Sequence, residues 1–506
     1  MLAPYEPPRW RLQNWRSMPR EEYLAYQGRV LSRFIKDQVY PYSKFYRRLF
    51  DDAGLTPNDI NSVADLAKIP LTSKHDLLKS ADNPDRPEDF VLTPPRMEDF
   101  NGMDPEKRAA MFAGMTFAER HEIERFLWEY HPVHANHTTG RSTSPTPVYF
   151  TRRDCYDYAE TAGRGPIDPF GITLVLNPFT PVAHQAFWIF AIRQLAKGGR
   201  VIHTGGGKIA GTDGILDMVR QYKPTTLVIM PGYAFHFVRK AMEAKVDMSS
   251  VVTVTIGGEK CTEAMRKKLC EAFVSLGADR ERFRVFDSYG ATEFRGGYGE
   301  CFMPTGDYSS PGFHTQPDMA IIEIVDSDTG EVLPEGETGE VVYTCLDWRG
   351  TVLLRYRTAD IAVGGITTEP CPHCGATVPR ISHELRRASN LKDLQLTKLK
   401  GNLVDMGKLV DSLRGIEDVE EYQIELRKQN DDPFGLDQLI VHVSMSESAS
   451  EAAVCESIRE ETRKATEAEP NEITIHSSEE MLELVGAVTE LKQKQIVDNR
   501  PKESTI

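Results

Sequence analysis

The sequence predicts an α/β protein: a large N-terminal domain with mostly parallel sheets plus a β-rich subdomain, and a small α+β C-terminal domain. Three features predict it. From about residue 173 to 289, short apolar runs alternate with stretches of helical period. After residue 315 the apolar runs come in a hairpin-like pair, and from about Ser389 the chain becomes more charged and reads as a separate unit. Apolar strands alternating with amphipathic helices build a largely parallel sheet covered on both faces.

Taken in order, residues 20–130 read as mostly helical, with apolar residues at helical spacing in Glu21–Phe34 and Arg108–Tyr130. His137–Thr146 is rich in Ser, Thr and Pro, shows neither period, and is expected to be a polar loop. Strands are expected at Thr173–Asn177, Thr225–Met230, Val251–Ile256 and Arg284–Tyr289. Helices at Ala183–Ala196, Phe235–Ala244 and Glu263–Leu276 separate them. Met319–Val325 and Gly339–Cys345 flank a turn-rich linker and are expected to pair antiparallel. The Arg-, Lys- and Asn-rich stretch 385–400 divides the chain into domains 1–388 and 389–506. The second carries expected strands at Tyr422–Leu426, Gln438–Val443 and Glu472–His476, with a helix at Ser450–Ala465.

Composition narrows the function. At 506 residues the chain is too long for one core, so two or more domains are expected. Sixty Lys plus Arg against 75 Asp plus Glu leave a net charge of −15, the wrong sign for a general nucleic-acid binder. The most apolar region, Ile172–Ile192, is broken by Asn177, Pro178, Pro181, His184 and Gln185 and does not read as a membrane span. Eight scattered Cys with one close pair suit a reducing cytoplasm. These readings leave a soluble, cytoplasmic, multidomain enzyme as the expectation.

In parallel sheets ligands sit at the carboxyl ends of the strands. Here those ends are Asn177-Pro178, Pro231-Gly232, Gly257-Gly258-Glu259 and Gly290-Ala291-Thr292-Glu293. Thr204–Ile209 is Gly-rich but no Walker loop, since Ile202 and Ile209 occupy the positions that need Gly and a hydroxyl. The loop Thr138-Thr139-Gly140-Arg141-Ser142 offers hydroxyls, backbone amides and a guanidinium, groups that wrap phosphate oxygens, though a polar surface loop looks similar. Asp287–Glu293 supplies an aromatic ring, a tight turn, a hydroxyl and a carboxylate suited to Mg²⁺. In Leu354–Asp360 a carboxylate is available to a ribose, or to a surface ion pair. Cys371-Pro372-His373-Cys374-Gly375 is a knuckle of the kind that holds zinc.

In their order, Tyr289–Glu293, Tyr356–Asp360, Lys398–Asn402 and Lys492-x-x-x-x-Val497-Asp498-Asn499-Arg500 resemble the adenylate-forming superfamily, specifically its phenylacetate–coenzyme A ligase-like branch. The resemblance covers about residues 30–500. It implies an acid–coenzyme A ligase that uses ATP and Mg²⁺ to activate a small carboxylic acid, expected to be aryl or arylacetic, as an acyl adenylate before thioester formation. Passing the acyl group to an amine or a carrier protein is the alternative, and an inactive nucleotide-binding homologue is another.

The resemblance also implies residue roles. Thr138–Thr146 would be the phosphate loop; Gly257, Gly258 and Glu259 would line the adenine pocket, with Tyr289 stacking beside Gly290. Thr292 would touch the α-phosphate, Glu293 the Mg²⁺, and Asp360 the ribose. Lys492 would serve adenylation, with Lys494 as its competitor, and Ser389 or Asn390 would mark the hinge. Cys301 and His314 would complete a structural zinc site with Cys371 and Cys374. Phe179, His184, Phe187, Tyr233 and Phe235 are expected pocket walls, and a homodimer is the family-level expectation. The chain departs from the family pattern at Thr143 and Ser144, where the phosphate loop usually has Gly and Lys, at Ala359 and Leu491, each in a usual Gly place, and at the hinge, which lacks its usual Asp.

Overall fold

A computed structural model describes residues 15–78, 86–137, 146–162, 171–176, 199–204, 207–229, 231–257, 261–294, 296–387, 397–399, 402–404, 406–416, 418–429, 437–446, 449–466, 469–486 and 494–500. The helix Arg20–Phe34 forms where expected, burying Leu31 and Phe34. The expected helix 108–130 is two helices, Pro105–Gly114 and Phe117–Tyr130. Local capping overrides the continuous apolar spacing. Thr116 and Glu119 form a reciprocal capping box that starts the second helix. Asp104 caps the first, with Pro105 at its opening position.

A hairpin, β1 (Pro132–His137) and β2 (Pro147–Thr151), follows. Next come β3 (Ile172–Leu176), β4 (Arg200–His203), β5 (Thr226–Ile229), β6 (Thr253–Gly257), β7 (Arg284–Ala291) and β8 (Gly296–Gly299). They form one six-stranded sheet in the order β4-β3-β5-β6-β7-β8, parallel throughout except for the β7–β8 pair. This is the parallel sheet the alternation predicts. Helices Gly207–Tyr222, Pro231–Glu243 and Glu263–Ser275 bury Val219, Phe237 and Phe273 against Leu227, Val254 and Val285. The expected helix Ala183–Ala196 lies outside the described residues.

The next strands are β9 (Phe313–His314), β10 (Ala320–Val325), β11 (Gly339–Cys345), β12 (Tyr356–Ala362), β13 (Ile366–Thr367), β14 (Arg380–Ile381) and β15 (Leu385–Arg387). β10, β11, β12 and β15 make an antiparallel sheet in that order, and β13, β14 and β9 a small one. The antiparallel sheet shares a core with the N-terminal helices. Tyr46 accepts a hydrogen bond from the Leu354 amide at 2.7 Å, and Thr72 donates to the Leu354 carbonyl at 2.9 Å.

Beyond a two-stranded ladder, β16 (Thr397–Leu399) with β17 (Asn402–Val404), lie β18 (Val419–Lys428), β19 (Asp437–Met445), β20 (Glu472–Ile475) and β21 (Ile496–Asp498). They form a sheet ordered β20-β19-β18-β21. Its own core joins Ile424, Leu426, Val441 and Val443 to Leu409 and Ile458 of helices Met406–Arg414 and Glu451–Thr466. Among the described residues no helix is long and apolar enough to cross a membrane.

A buried charge cluster sits behind the parallel sheet. Arg266, 2% exposed, donates to both carboxylate oxygens of Glu300 at 2.9 Å, and Glu300 accepts the Asp287 amide at 3.0 Å. Burial, and secondarily the Glu300 charge, pushes the Asp287 carboxyl up to about 8. An unfolded Asp titrates near about 4. Between those values the folded chain holds a proton that the unfolded chain releases, so this group's contribution falls as pH rises through that window. Asp287→Asn removes the titration. Urea unfolding of both proteins at pH 5 and pH 8 should show the variant gaining stability relative to the parent at the higher pH; an equal difference at both pH values contradicts the assignment.

Candidate active site

The end of β7 meets the middle of β12. Tyr289 donates its phenolic hydrogen to Asp360 at 2.9 Å, and Tyr356 donates to Glu293 at 3.1 Å. The two hydrogen bonds cross between the motifs in opposite senses and bring Tyr289, Gly290, Thr292, Glu293 and Asp360 to one place. Thr292–Phe294 forms a single 3₁₀ turn between β7 and β8, at the carboxyl end of the parallel strand. Thr292 and Glu293 are half-buried while Asp360 is 7% exposed. Tyr289 is packed more deeply than a stacking platform requires. Its ring is 8% exposed and lies edge-on to Phe294, so its hydroxyl is what it gives the site.

A bulge aims Asp360. Where β12 passes β11, Thr358, Ala359 and Asp360 stand opposite the single residue Val341. Thr358 Oγ1 donates to the Val341 carbonyl at 2.8 Å and accepts the Asp360 amide at 3.1 Å. Glu340, paired with Arg357, accepts the Ala359 amide at 3.0 Å. Bulges turn a side chain out of the ladder's regular alternation. The geometry requires Ala359 at φ +59°, the left-handed region in which a Cβ is strained. The glycine usual in the family therefore has a conformational reason, and this chain does without it.

Gly257 ends β6 opposite Ser288 of β7. A Cβ there would stand 2.7 Å from Ser288 Oγ, which itself donates to the Ile256 carbonyl at 3.0 Å. Gly258 and Glu259 lie outside the described residues, as do Thr138, Thr139, Gly140, Arg141, Ser142, Lys492, Ser389, Asn390, Phe179, His184 and Phe187. Lys494 is described. Its side chain is exposed and its amide donates to the Val485 carbonyl at 2.8 Å. Tyr233 is buried, with its hydroxyl 2.9 Å from Thr212 Oγ1, and Phe235 packs at the edge of the same core.

The hairpin that bears residues 138–145 is paired up to His137 opposite Pro147. An unforeseen residue fixes its far strand. Asp154, fully buried, accepts amides from Thr151 (3.0 Å), Arg349 (2.9 Å) and Gly350 (2.7 Å). Tyr149 and Thr351 add a reciprocal pair of hydrogen bonds at 2.9 and 3.1 Å. The β1–β2 hairpin is thereby tied to the turn that precedes β12. The Thr151-x-x-Asp154 spacing signals only a helix cap, not the link to Arg349 and Gly350.

A second cluster lies where β8 leaves the sheet. The ligand-type atoms of Cys301, His314, Cys371 and Cys374 all lie within 4.8 Å of one another. Cys301 Sγ is 3.6 Å from Cys371 Sγ, and Cys374 Sγ is 3.8 Å from His314 Nε2. Tetrahedral zinc with bonds of about 2.3 Å to sulfur would set its sulfurs roughly 3.8 Å apart. Gly375, at φ +70°, turns the knuckle, and its amide donates to the Cys371 carbonyl at 2.8 Å. Burial, then the neighbouring thiols, pushes Cys301 up. Burial also raises Cys371, but the amides of Cys374 and His373 outweigh it and hold that thiol below its ordinary value. Burial holds the His314 imidazole down to about 4, in the neutral form that ligates metals. The four donors suit zinc.

A family model described as AMP-binding enzyme matches residues 138–344. The phenylacetate–coenzyme A ligase of Thermus thermophilus is 28% identical over 447 residues, covering 85% of this chain and 83% of that protein. The Escherichia coli enzyme of the same name is 26% identical, covering 85% and 84%. Among solved structures, 2-hydroxyisobutyryl-CoA ligase in its postadenylation state superposes with a TM-score of 0.70 at 18% identity, over 98% of this chain and 94% of that one. The fold is that of adenylate-forming CoA ligases, and the family match and relatives mark an enzyme of that class. Within that fold the chain is similar to phenylacetate–coenzyme A ligases over 85% of its length.

Ala359 is exposed, so replacing it loses no packing. Ala359→Gly relieves the left-handed strain and should stabilise the protein by about 1 kcal/mol net of glycine's entropy. Chemical denaturation checks this, and a destabilised variant would mean that the bulge is not held as described.

Proposed function

We propose that the chain is an ATP-dependent acid–coenzyme A ligase acting through an acyl adenylate, with an aryl or arylacetic acid as substrate. The observation that carries this reading is the crossed pair of hydrogen bonds that gathers Thr292, Glu293 and Asp360 at the end of β7. The named relatives support coenzyme A as acceptor and an arylacetic acid as substrate.

In the first half-reaction the substrate carboxylate attacks the α-phosphorus of ATP and pyrophosphate leaves, a step governed by positioning and charge neutralisation. Asp360 accepts the ribose hydroxyls, with Tyr289 holding its carboxylate in place. Thr292 hydrogen-bonds the α-phosphate. Glu293 would hold Mg²⁺, an oxygen-seeking ion that neutralises phosphate charge, and Tyr356 orients that carboxylate. The phosphate loop Thr138–Ser142, with Arg141 in place of the missing lysine, grips the outer phosphates, and Gly257–Glu259 borders the base. Lys492 supplies the cation at the reacting centre.

Residues 1–388 are the rigid half and 389–506 the mobile domain. A separate C-terminal core and exposed contacts across the boundary, such as the 3.8 Å pair of Lys240 with Glu479, support that division. Such surface pairs contribute little and are readily exchanged. Rotation of the domain would withdraw Lys492 and admit the thiol. We further assign Cys301, His314, Cys371 and Cys374 as a structural zinc site, since four protein donors leave no open position.

Pyrophosphate release across aryl, arylacetic and aliphatic acids, with and without coenzyme A, tests the reaction. Release should require an acid and turn over with coenzyme A; release indifferent to coenzyme A moves the acceptor to an amine or carrier protein. Lys492→Ala should lower adenylation on the order of 10²-fold or more while sparing thioester formation from preformed adenylate. Equal loss in both steps, or none, removes Lys492 from its role. Metal analysis should find one zinc per chain. Cys371→Ser should lose it and lower the unfolding midpoint by about 5 °C or more; a metal-free protein with an unaltered midpoint on substitution contradicts the assignment.

A further inference from the structure

Gln423 lies on β18, and its side chain points to the face opposite the C-terminal core, because its neighbours Tyr422 and Ile424 belong to that core. It is 4% exposed. Its single amide nitrogen donates two hydrogen bonds, to the Leu484 carbonyl at 2.9 Å and to the Lys494 carbonyl at 2.7 Å. Those carbonyls belong to the two ends of the segment that contains Lys492. Leu484 closes the helix Ser478–Leu484, and Lys494 begins the approach to β21. The neck is also closed by backbone, Lys494 N–H to Val485 C=O at 2.8 Å.

Each stem is fixed independently. The helix opens on a Ser477–Glu480 capping box, buries Met481 and Val485, and ends at Gly486 with φ +72°. On the other side Gln495 accepts the Ile424 amide at 2.8 Å and the Arg414 guanidinium at 2.7 Å. Gln423 is the side chain that joins the two stems. A neutral carboxamide suits this place, because it carries two donors on one nitrogen and brings no buried charge. Without it, the Leu484 and Lys494 carbonyls lose the one side-chain group that bridges them.

We propose that Gln423 is a positioning residue for adenylation: by clamping both stems it fixes where Lys492 leaves the C-terminal domain and so how its ammonium meets the reacting phosphate. The proposal rests on the assignment of Lys492 made above. A displacement of about 1 Å in a reacting group can cost about 10²-fold in rate. A clamp at the neck of a short segment therefore has kinetic weight out of proportion to its stability.

The test uses the full chain and four proteins: the parent, Lys492→Ala, Gln423→Met and the double variant. Methionine keeps the shape of glutamine and removes both donors. Gln423→Met should lower acid-dependent ATP–pyrophosphate exchange by about 10²-fold, with KM for ATP and acid within about threefold. Thioester formation from preformed adenylate should stay within about twofold of the parent, which also shows the domain folded. In the Lys492→Ala background the same change should cost nothing more, since no ammonium remains to be placed.

If Lys492→Ala loses adenylation and Gln423→Met keeps it, the clamp is overturned and the lysine's role stands. Full adenylation in both variants overturns the lysine's role and the clamp together. Loss with Gln423→Met but not with Lys492→Ala also overturns the clamp as a device for that lysine. Parallel loss of both half-reactions in Gln423→Met, repeated in the isosteric Gln423→Glu, overturns the proposal by making the amide a structural fixture.

Discussion

Two hydrogen bonds between β7 and β12 hold the site together. Tyr289 reaches from the parallel sheet to Asp360, and Tyr356 reaches back from the antiparallel sheet to Glu293. Each tyrosine serves the other strand's carboxylate, so neither carboxylate is placed by its own element alone. Asp360 is available to Tyr289 because the bulge at Thr358–Asp360 turns it out of the ladder. The bulge persists because Glu340 and Thr358 take up the amides that it frees. Breaking the crossed pair would free the Asp360 and Glu293 carboxylates from the partners that orient them.

The rest of the N-terminal region keeps those sheets from shifting. Three buried ion pairs contribute, each hydrogen-bonded as buried charges require: Arg266 with Glu300, Arg355 with Glu323 at 3.3 Å, and Arg349 with Asp347 at 2.9 Å. Each joins segments far apart in sequence or stiffens a tight turn. Arg355 and Asp347 sit at φ +45° and +61°, so these side chains stabilise backbone that would otherwise be strained. Asp154 adds three amides and binds the β1–β2 hairpin to the chain entering β12. The nucleotide side of the site is consequently built on one stiff unit.

How much of this the sequence discloses follows from which forces are local. The strands β5, β6 and β7 and their helices are legible because short runs rich in β-branched and apolar residues, with alternate positions buried, are set between stretches of helical period. The site motifs are legible because a turn after a strand needs particular residues in a row, as in Tyr289–Glu293. The break in the helix at Thr116 was also written locally, in Thr116 and Glu119, but the apolar spacing running through it masked the cap. Asp154 and Gln423 have no such signature. Asp154 has one local partner, Thr151, but the amides it ties to the distant turn, and both partners of Gln423, lie about 60 to 195 residues away, so the neighbouring sequence does not mark these long-range roles. Cys301 and His314 fall between. The Cys371–Cys374 knuckle announces a site, while its remaining donors come together only through the pairing of β9 with β14 and the exit of β8.

The arrangement separates what must stay fixed from what must move. Binding a nucleotide needs donors and acceptors held to a fraction of an ångström, and the buried pairs of the larger region meet that need. In the proposed two-step reaction one group must leave after the first step, a need that the proposed Lys492 would meet from a body with its own core and replaceable surface contacts. That body cannot be loose internally, because a cation carried on a slack segment would lose in placement what it gains in mobility. The C-terminal sheet resolves the conflict by placing precision within the small domain, at the neck closed by Gln423, Arg414 and Ile424, and leaving freedom to the domain as a whole. Mobility between rigid bodies and rigidity within each are then complementary requirements of one chemistry.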